Sequence, residues 1–408
     1  MHILYLSQYF PPEAGATQTR AYEMARTWVR LGHQVTVLTE FPNHPSGIIP
    51  PDYRGKYIEI KDLDGINVIR VWVKASPKKN FHNRMLFYLT YMLNASLAGL
   101  LAAHGKFNFI YATSPPLFVG AAALFLSYTR RIPLIFEVRD LWPESAVALG
   151  ELASPKAITL ATRLEEQCYN KSTQVVVVTH GIYDRLLQRG IAKSKLCFVP
   201  NGANTDLFTY SASGRQRIRS ELNLEGRFVA IYAGIHGLAQ GLETILEAAR
   251  LLQSQEDIHI LMIGDGPKKA ELLELAGRYN LPNLTMLPEK PREQIPDYLS
   301  AADVALIPLK KVEIFKGALP SKIFDAWSCS RPVLLSINGE ARQIVESVQG
   351  GIFVPLEDPD KMAEALLHMK AIPAERQRMG ENGLNYTRAN HSRTALAEKL
   401  IRHLEELI

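Results

Sequence analysis

The chain opens with a strand, a glycine-bearing loop, a helix and a second strand, and this order restricts the fold more than any other feature. Residues 3–6 are apolar, residues 17–31 repeat apolar side chains at helical spacing, and residues 34–39 carry Val35, Val37 and Leu38 in a second predicted strand. Such a unit forms a right-handed crossover between parallel strands. The alternation continues along the chain, and it predicts an α/β protein.

A second series of the same kind begins at Phe228, after the turn Pro200-Asn201-Gly202. Two successive arrays of similar size predict two doubly wound, Rossmann-like domains that face each other across a cleft. We expect a first domain over 1–208 and a second over 209–385, joined by a small, polar linker at 209–214. A final helix over 386–408 is expected to pack back toward the first domain.

Composition excludes several classes of protein. With 408 residues and a net charge of only +5, the chain is large enough for two domains but too mildly basic to indicate a nucleic-acid-binding protein. Its three cysteines are widely spaced and form no CxxC pair, which favours reduced thiols in the cytoplasm and no metal framework. The first residues lack the basic region of a signal peptide.

Residues 85–103 contain no charged side chain and follow a basic stretch with Lys74, Lys78, Lys79 and Arg84. Their length approaches that of a membrane span, but the polar side chains within them and their position between two strands favour a helix packed on the sheet. The basic, aromatic segment 74–92 would then touch the anionic inner surface of the cell membrane. A plain buried helix with a solvated basic turn is the alternative.

The segment 317–332 carries the strongest signal for a ligand. Ser321 is expected to cap a helix that follows Pro320, and the unpaired N–H groups at a helix start attract anions. Lys322 adds a positive charge, and the Asp325 carboxylate one turn later could accept hydrogen bonds from sugar hydroxyls. Together they predict a nucleotide-sugar site, although a well-capped amphipathic helix would look the same locally.

Charged residues also end a strand in the first half, at Arg139-Asp140-Leu141-Trp142-Pro143-Glu144. Side chains at the carboxyl end of a parallel strand are placed to bind ligands, whereas an internal Arg–Asp ion pair is the simpler explanation. Gly264-x-Gly266 lacks the third glycine of a dinucleotide fingerprint, so NAD chemistry is disfavoured. The sequence has no Walker, HExxH or GxSxG motif, which argues against NTPases, zinc proteases and serine hydrolases.

Taken together, the motifs resemble glycosyltransferase family 4, which has the GT-B fold, along nearly the whole chain. In the first half, the resemblance rests on Pro11-Pro12-Glu13-x-Gly15, Gly32-His33, the segment 136–144 and Val199-Pro200-Asn201-Gly202-Ala203. In the second half, it rests on Gly264-Asp265-Gly266-Pro267, Ala301-Ala302-Asp303-Val304 and the segment 319–325. The details are similar to the branch of L-fucosamine or L-fucose transferases in bacterial O-antigen and colanic-acid assembly.

This resemblance implies retaining transfer of a sugar from a nucleotide diphosphate, with a UDP-activated N-acetylated amino sugar such as L-fucosamine favoured. The expected acceptor is a lipid-linked glycan held by the first domain, and neither a cofactor nor an obligatory metal is expected. The expected catalytic residues are Glu13, Arg139 and Asp140. The expected donor-binding residues are Gly15, Gly234, His236, Gln240, Gly264, Gly266, Leu287, Ser321, Lys322, Asp325 and Arg342.

Several positions depart from the family pattern. Gly317 stands where the first of two acids is usual, and Ile235 and Gln240 replace a basic pair. His236, Glu313, Lys316 and Arg342 are candidate substitutes. Because of these departures, two alternatives stay open: a nucleotide-sugar epimerase or hydrolase of the same fold, and a non-catalytic scaffold that binds nucleotide-sugar.

Overall fold

A computed structural model describes residues 1–13, 15–44, 46–78, 80–150 and 152–407. The described chain divides into two compact units. Unit 1 comprises residues 1–200 and 394–408, and unit 2 comprises residues 201–393. The sequence placed the corresponding boundaries at 208/209 and 385/386. No helix in the described part of the chain combines the length and the apolar character needed to span a bilayer.

Unit 1 contains an eight-stranded sheet in the order β3-β4-β2-β1-β5-β6-β7-β8. Its strands are β1 His2–Leu6, β2 Gln34–Glu40, β3 Ile58–Leu63, β4 Ile66–Val71, β5 Phe109–Ser114, β6 Leu134–Val138, β7 Gln174–Val177 and β8 Leu196–Phe198. All neighbouring pairs are parallel except β3 and β4. The strand order reverses between β1 and β5, which is where a sheet of this kind opens a crevice for ligands.

The helices of unit 1 connect these strands. They are α1 Ala16–Arg30, α2 Phe81–Leu101, α3 Phe118–Arg130, α4 Glu144–Ala148, α5 Pro155–Lys171, α6 His180–Gln188 and, from the end of the chain, α15 Arg393–Leu407, whose first residue belongs to unit 2. Single turns of three-ten helix lie at Pro51–Tyr53 and Lys193–Lys195. The segment expected to form a helix over 85–103 is α2, which begins earlier because the Asn80 side chain accepts a hydrogen bond from the N–H of Asn83.

Strand β3 was not predicted, because its alternating charged residues lie at the exposed edge of the sheet. The signal that could have identified it is the pair Asp64-Gly65 between β3 and β4. Both residues have positive φ angles, of 54° and 81°. A two-residue connection of this kind is typical of a β-hairpin.

Unit 2 contains a six-stranded, fully parallel sheet in the order β11-β10-β9-β12-β13-β14. Its strands are β9 Phe228–Ala233, β10 Ile258–Ile263, β11 Leu284–Leu287, β12 Val304–Pro308, β13 Val333–Ser336 and β14 Gly351–Phe353. The order reverses between β9 and β12. The carboxyl ends of these two strands are therefore the expected place for a ligand.

The helices of unit 2 lie on both faces of this sheet. They are α7 Ala212–Glu221, α8 Glu243–Leu251, α9 Lys269–Tyr279, α10 Ile295–Ala301, α11 Lys322–Ser328, α12 Glu340–Val348, α13 Pro359–Ala371 and α14 Pro373–Asn390, with three-ten turns at Arg292–Gln294 and Glu313–Gly317. One apolar cluster joins Ile231 and Ala305 to Trp327, and another joins Ala230 and Met262 to α8 and α13. Neighbouring residues of a strand, such as Ala230 and Ile231, belong to different clusters, so both faces of this parallel sheet are buried.

The predicted linker at 209–214 is wrong. The Ser211 hydroxyl caps α7 by accepting the N–H of Gly214 at 2.9 Å, and the N–H of Ser211 donates to the Ser300 hydroxyl at 3.0 Å. The segment therefore belongs to the fold of unit 2. Small polar residues are as common in helix caps as in linkers, and only the contact with Ser300 distinguishes the two.

Candidate functional site

Two loops at the carboxyl ends of β9 and β10 form the centre of the candidate site in unit 2. The N–H of His236 donates to the Asp265 carbonyl at 2.8 Å, and the N–H of Lys268 donates to the His236 carbonyl at 2.9 Å. A Cβ at Gly264 would overlap the Gly234 carbonyl oxygen, and one at Gly266 would crowd the His236 carbonyl. Gly264 and Gly266 thus permit the two loops to pack backbone against backbone.

Lys322, the first residue of α11, reaches this loop pair. Its Nζ donates to the Tyr232 hydroxyl at 2.8 Å and lies 4.2 Å from the centre of that ring. A Cβ at Gly234 would overlap this ammonium group, so the glycine makes room for it. Burial lowers the pKa of Lys322 to about 7, although the charge of Asp325 opposes the shift.

His236 is fully buried beside these groups, with its ring centre 5.8 Å from that of Tyr232. Neither ring nitrogen has a hydrogen-bond partner among the residues that the structure describes. Burial, followed by the charges of Lys269 and Lys322, lowers the pKa of His236 to about 4. The imidazole is therefore neutral near pH 7, with one donor and one acceptor that no described residue engages, and its contact with a ligand stays a prediction.

Two further residues complete the site, and the sequence analysis missed both. Lys269 begins α9, and its Nζ donates to the Leu287 carbonyl at 2.9 Å, which ties the ends of β10 and β11 together. Burial lowers the pKa of Lys269. Tyr232 lies one residue before the end of β9 and positions Lys322. The available signal for Lys269 was its place two residues after Gly264-Asp265-Gly266-Pro267, at a helix start.

The Ser321 cap is not formed as predicted. Ser321 has helical angles (φ −59°, ψ −22°), and its hydroxyl makes no capping hydrogen bond. The reason is that the chain turns one residue earlier, with the N–H of Ile323 donating to the Pro320 carbonyl. A capping side chain needs an extended backbone at its own residue. The positive charge of Lys322, rather than the end of this seven-residue helix, is the anion-attracting feature.

The surroundings of Asp325 differ from those expected of a residue that binds a sugar. With Lys322 it lines a cavity of about 40 Å³ whose other walls are apolar, including Phe208, Ile231 and Leu299. A volume of this size admits only a few water molecules. In this structure, Asp325 is placed to balance the charge of Lys322, and its contact with a sugar stays a prediction.

The remaining expected donor residues of unit 2 are less central. Gln240 folds back so that a Cβ at Gly237 would meet its side-chain oxygen, while Leu287 offers its carbonyl to Lys269 and to the N–H of Gly264. Arg342 pairs with Glu346 at 2.8 Å and lies over the Phe353 ring, so its charge is already engaged. Likewise, the candidate substitutes Glu313 and Lys316 are exposed and pair with each other at 2.6 Å.

In unit 1, a buried charge network surrounds Glu137, the penultimate residue of β6. The Glu137 carboxylate accepts hydrogen bonds from Arg20 at 2.9 Å, from the Tyr111 hydroxyl at 2.7 Å and from the Thr113 hydroxyl at 2.7 Å. Burial acts to raise its pKa, but the positive charges of Arg20 and Arg139 prevail and lower it. Glu137 is therefore ionised and structural, and sequence reasoning missed it because an acid inside a strand carries no periodic signal.

Arg139 and Asp140 follow this network at the end of β6. Arg139 donates to the Thr17 hydroxyl in the first turn of α1, whose N-cap is Gly15, with a φ of 150°. Asp140 accepts a hydrogen bond from the Ser145 hydroxyl at 2.8 Å, and burial raises its pKa. The two side chains therefore have different partners, unlike the internal ion pair that was the alternative.

Glu13 belongs to another cluster. Its Oε1 accepts from the N–H groups of Asn43 at 2.6 Å and His44 at 2.8 Å, while its Oε2 is buried without a hydrogen-bond partner among the described residues. Burial raises the pKa of Glu13 to about 7. The neighbouring Glu40, at the end of β2, is also buried and has a pKa well above its ordinary value, for the same reason.

The three expected catalytic side chains thus do not form one group. Glu13 contacts the segment that follows β2, whereas Arg139 and Asp140 follow β6, and β1 and β5 lie between these strands. Three inter-strand spacings correspond to roughly 14 Å. Arg139 contacts α1 through Thr17, whereas Glu13 and Glu40 both accept hydrogen bonds from Asn43.

Family models match both units. Residues 15–202 match the model described as a glycosyl transferase 4-like domain, and residues 214–386 match the one described as glycosyl transferases group 1. Together they account for most of the chain. The protein belongs to the glycosyltransferases.

Individual relatives agree with this assignment. The chain is 24% identical over 348 residues to the putative colanic acid biosynthesis glycosyl transferase WcaI of Escherichia coli, covering 84% of this chain and 82% of WcaI. It is 24% identical over 294 residues to the alpha-D-kanosaminyltransferase of Streptomyces kanamyceticus, covering 69% and 73% of the two chains. At this identity, the L-fucosamine branch named by the resemblance is not established.

Solved structures show the same fold. Sucrose-phosphate synthase of Thermosynechococcus elongatus superposes with a TM-score of 0.75 at 20% identity, covering 100% of this chain and 98% of that one. HepE of Anabaena, in complex with UDP-glucose, superposes with a TM-score of 0.75 at 16% identity and full coverage of both chains. The prediction of two Rossmann-like domains of the GT-B class is confirmed.

Proposed function

We propose that this glycosyltransferase transfers a sugar from a nucleotide diphosphate to a glycan acceptor in the assembly of a cell-surface polysaccharide. The observation that carries the proposal is the cationic cluster of unit 2, with Lys322, Lys269 and the neutral His236 at the carboxyl ends of β9 and β10. A cluster with two partly buried lysines binds a dianionic diphosphate better than a neutral ligand. WcaI, named for colanic acid biosynthesis, supports the polysaccharide context.

The donor is a UDP-sugar, and the transferred group is an N-acetylated amino sugar. UDP is supported by HepE, whose structures contain UDP and UDP-glucose. An amino sugar is supported by the kanosaminyltransferase, which is named for one, and by the resemblance to L-fucosamine transferases. We place the uridine next to the backbone around Leu287, because Lys269 already anchors that carbonyl beside the diphosphate site.

In the transfer step, the bond between sugar C1 and the diphosphate oxygen breaks and the acceptor hydroxyl oxygen bonds to C1. The hydroxyl proton passes to the departing diphosphate, and the configuration at C1 is retained. Lys322 and Lys269 stabilise the negative charge that develops on the leaving group, so that no metal is required. In unit 1, Arg139 and Asp140 orient the acceptor, which is a lipid-linked glycan on the cytoplasmic side of the membrane.

Thermal unfolding with a panel of UDP-, GDP- and dTDP-sugars tests the donor. A UDP-sugar at 100 times its Kd should stabilise the protein by about 2.7 kcal/mol, with or without a chelator. Lys322→Met and Lys269→Met should abolish the shift, whereas Lys361→Met, which removes an exposed lysine on α13, should leave it intact. If a UDP-sugar still raises the unfolding temperature of Lys322→Met, the assigned site is wrong. If it stabilises the wild type but no lipid-linked acceptor is glycosylated, the protein is a non-catalytic scaffold that binds nucleotide-sugar.

A further inference from the structure

A continuous apolar surface lies on the outside of unit 1, and the proposed function does not use it. Large apolar side chains are exposed along the carboxyl half of α2 and on α3, at Leu93, Leu97, Leu100, Leu101, Phe125 and Tyr128. Leu101 is 74% exposed and Tyr128 is 86% exposed. Spacings of three and four residues place the leucines on one side of α2. A set of this kind on adjacent helices marks an interaction surface.

The two helices are held together at this surface. A Cβ at Gly99 would overlap the Leu126 side chain, so the glycine permits α2 and α3 to pack closely. At the ends of both helices, the Arg130 guanidinium donates to the carbonyls of Leu100 at 3.2 Å and Ala103 at 2.7 Å. The last turns of α2 and α3 therefore lie side by side, and their exposed side chains form one patch.

The charge of this part of the chain indicates the partner. No aspartate or glutamate occurs between Asp64 and Glu137, whereas this stretch contains eight lysines and arginines. Lys106 and Arg131 are exposed and follow the ends of α2 and α3 directly. Cations around an apolar patch bind a bilayer with anionic headgroups, because the side chains insert and the charges pair with the lipid.

We infer that this surface, formed by α2 and α3, docks the protein onto an anionic lipid bilayer. The docking residues lie further along α2 than the segment 74–92 that the sequence indicated, and contact of that segment with a membrane stays a prediction. In that segment, Tyr91 is fully buried, its hydroxyl donates to the Leu38 carbonyl, and the Thr90 hydroxyl accepts the N–H of Lys74. The side of α2 that carries Tyr91 therefore packs toward the sheet, and Leu93, Leu97 and Leu101 are exposed on its other side.

Flotation with lipid vesicles tests the inference on the purified, full-length protein without any sugar substrate. We expect binding to vesicles of phosphatidylglycerol and phosphatidylcholine, and much weaker binding to phosphatidylcholine alone. The double variant Leu97→Ser/Leu101→Ser should lose about tenfold in affinity or more, since two inserted side chains are removed. The double variant Lys106→Glu/Arg131→Glu should lose the preference for phosphatidylglycerol.

Matched variants on unit 2 control for general effects on the surface. Leu273→Ser removes an exposed leucine from α9, and Arg278→Glu reverses an exposed charge on the same helix. Both should bind vesicles as the wild type does. Thermal unfolding establishes that every variant is folded.

Three outcomes would overturn the inference: equal binding to both vesicle types, wild-type binding by the leucine variant, or a dimer in light scattering that the leucine variant dissociates. The last would assign the surface to a second copy of the chain. Because stabilisation by a UDP-sugar is measured separately, failure of vesicle binding leaves the proposed function untouched, and the reverse also holds.

Discussion

Lys322 illustrates how a single residue can combine structural and functional demands. Its ammonium group has a tyrosine hydroxyl as partner at 2.8 Å, a glycine that leaves space for it, and the carboxylate of Asp325 nearby. Burial of a charge without full compensation favours the neutral form, which lowers the pKa of Lys322 to about 7. A bound diphosphate would reverse this balance and favour the ammonium form.

We therefore expect donor binding to be coupled to proton uptake. As pH rises above 7, free Lys322 loses its proton, so the affinity for UDP should fall between pH 7 and pH 9. Calorimetric titrations with UDP at pH 8, in buffers of different ionisation enthalpy, should detect nearly one proton taken up. Lys322→Met should bind weakly at every pH and take up none, and an unchanged uptake in this variant would exclude Lys322 as the source.

The same pKa affects stability in the absence of ligand. Since the pKa of Lys322 is lower in the folded than in the unfolded chain, the unfolded chain binds more protons between about pH 7 and the ordinary lysine pKa near 10.4. The free energy of unfolding should thus rise with pH in this window, relative to that of Lys322→Met. Urea unfolding of both proteins at pH 7 and pH 9 measures this difference.

At the scale of elements, the loops after β9 and β10 pack directly against each other through their backbones. Gly264 has a φ of 145°, and a side chain there would force the Gly234 carbonyl away. The loops carry His236 and lead into Lys269, so their packing sets the positions of both. The pattern Gly-x-Gly is therefore explained by backbone contact between loops, and no direct contact with the donor is needed to account for it.

Gly264→Ala should lower the free energy of unfolding by about 2 kcal/mol or more, because the backbone angle and the nearby carbonyl both oppose a Cβ. It should also weaken UDP binding. Gly277→Ala is the matched control: Gly277 lies within α9, with open space around its Cα, and alanine there should stabilise by about 0.5–1 kcal/mol. Urea unfolding compares the two, and equal stabilities would argue against loop packing.

At the scale of the whole molecule, α15 belongs to unit 1, although nearly two hundred residues separate its start from the rest of that unit. Leu400, Ile401 and Leu404 lie in the same apolar cluster as Trp28, whose indole N–H donates to the Ala397 carbonyl at 3.0 Å. The end of the chain therefore completes the core around α1.

Leu400→Ala combined with Leu404→Ala should destabilise unit 1, since each removes a fully buried side chain at about 2–5 kcal/mol. Unit 2 should keep its stability. Calorimetry with and without UDP can separate the two units, because UDP raises only the transition of the unit that binds it. Loss of stability in the UDP-sensitive transition alone would contradict the assignment of α15 to unit 1.

The sequence by itself determined the class of the protein. The alternation of strands and helices and the two series of similar size follow from local pattern, since apolar periodicity and helix starts are properties of adjacent residues. The same kind of pattern singled out Lys322, whose role in binding stays a prediction. Local pattern also explains two wrong predictions, the linker at 209–214 and the helix cap at Ser321. In both places, the structure depends on one or two hydrogen bonds that the local pattern does not reveal.

Tertiary structure alone decided which distant residues meet. It separated Glu13 from Asp140 by the order of the strands, brought Lys269 to Leu287, placed Asp325 in an apolar cavity and returned α15 to unit 1. These arrangements depend on sheet order and on packing between segments far apart in the chain. Neither is encoded in the spacing of residues along a single helix or strand.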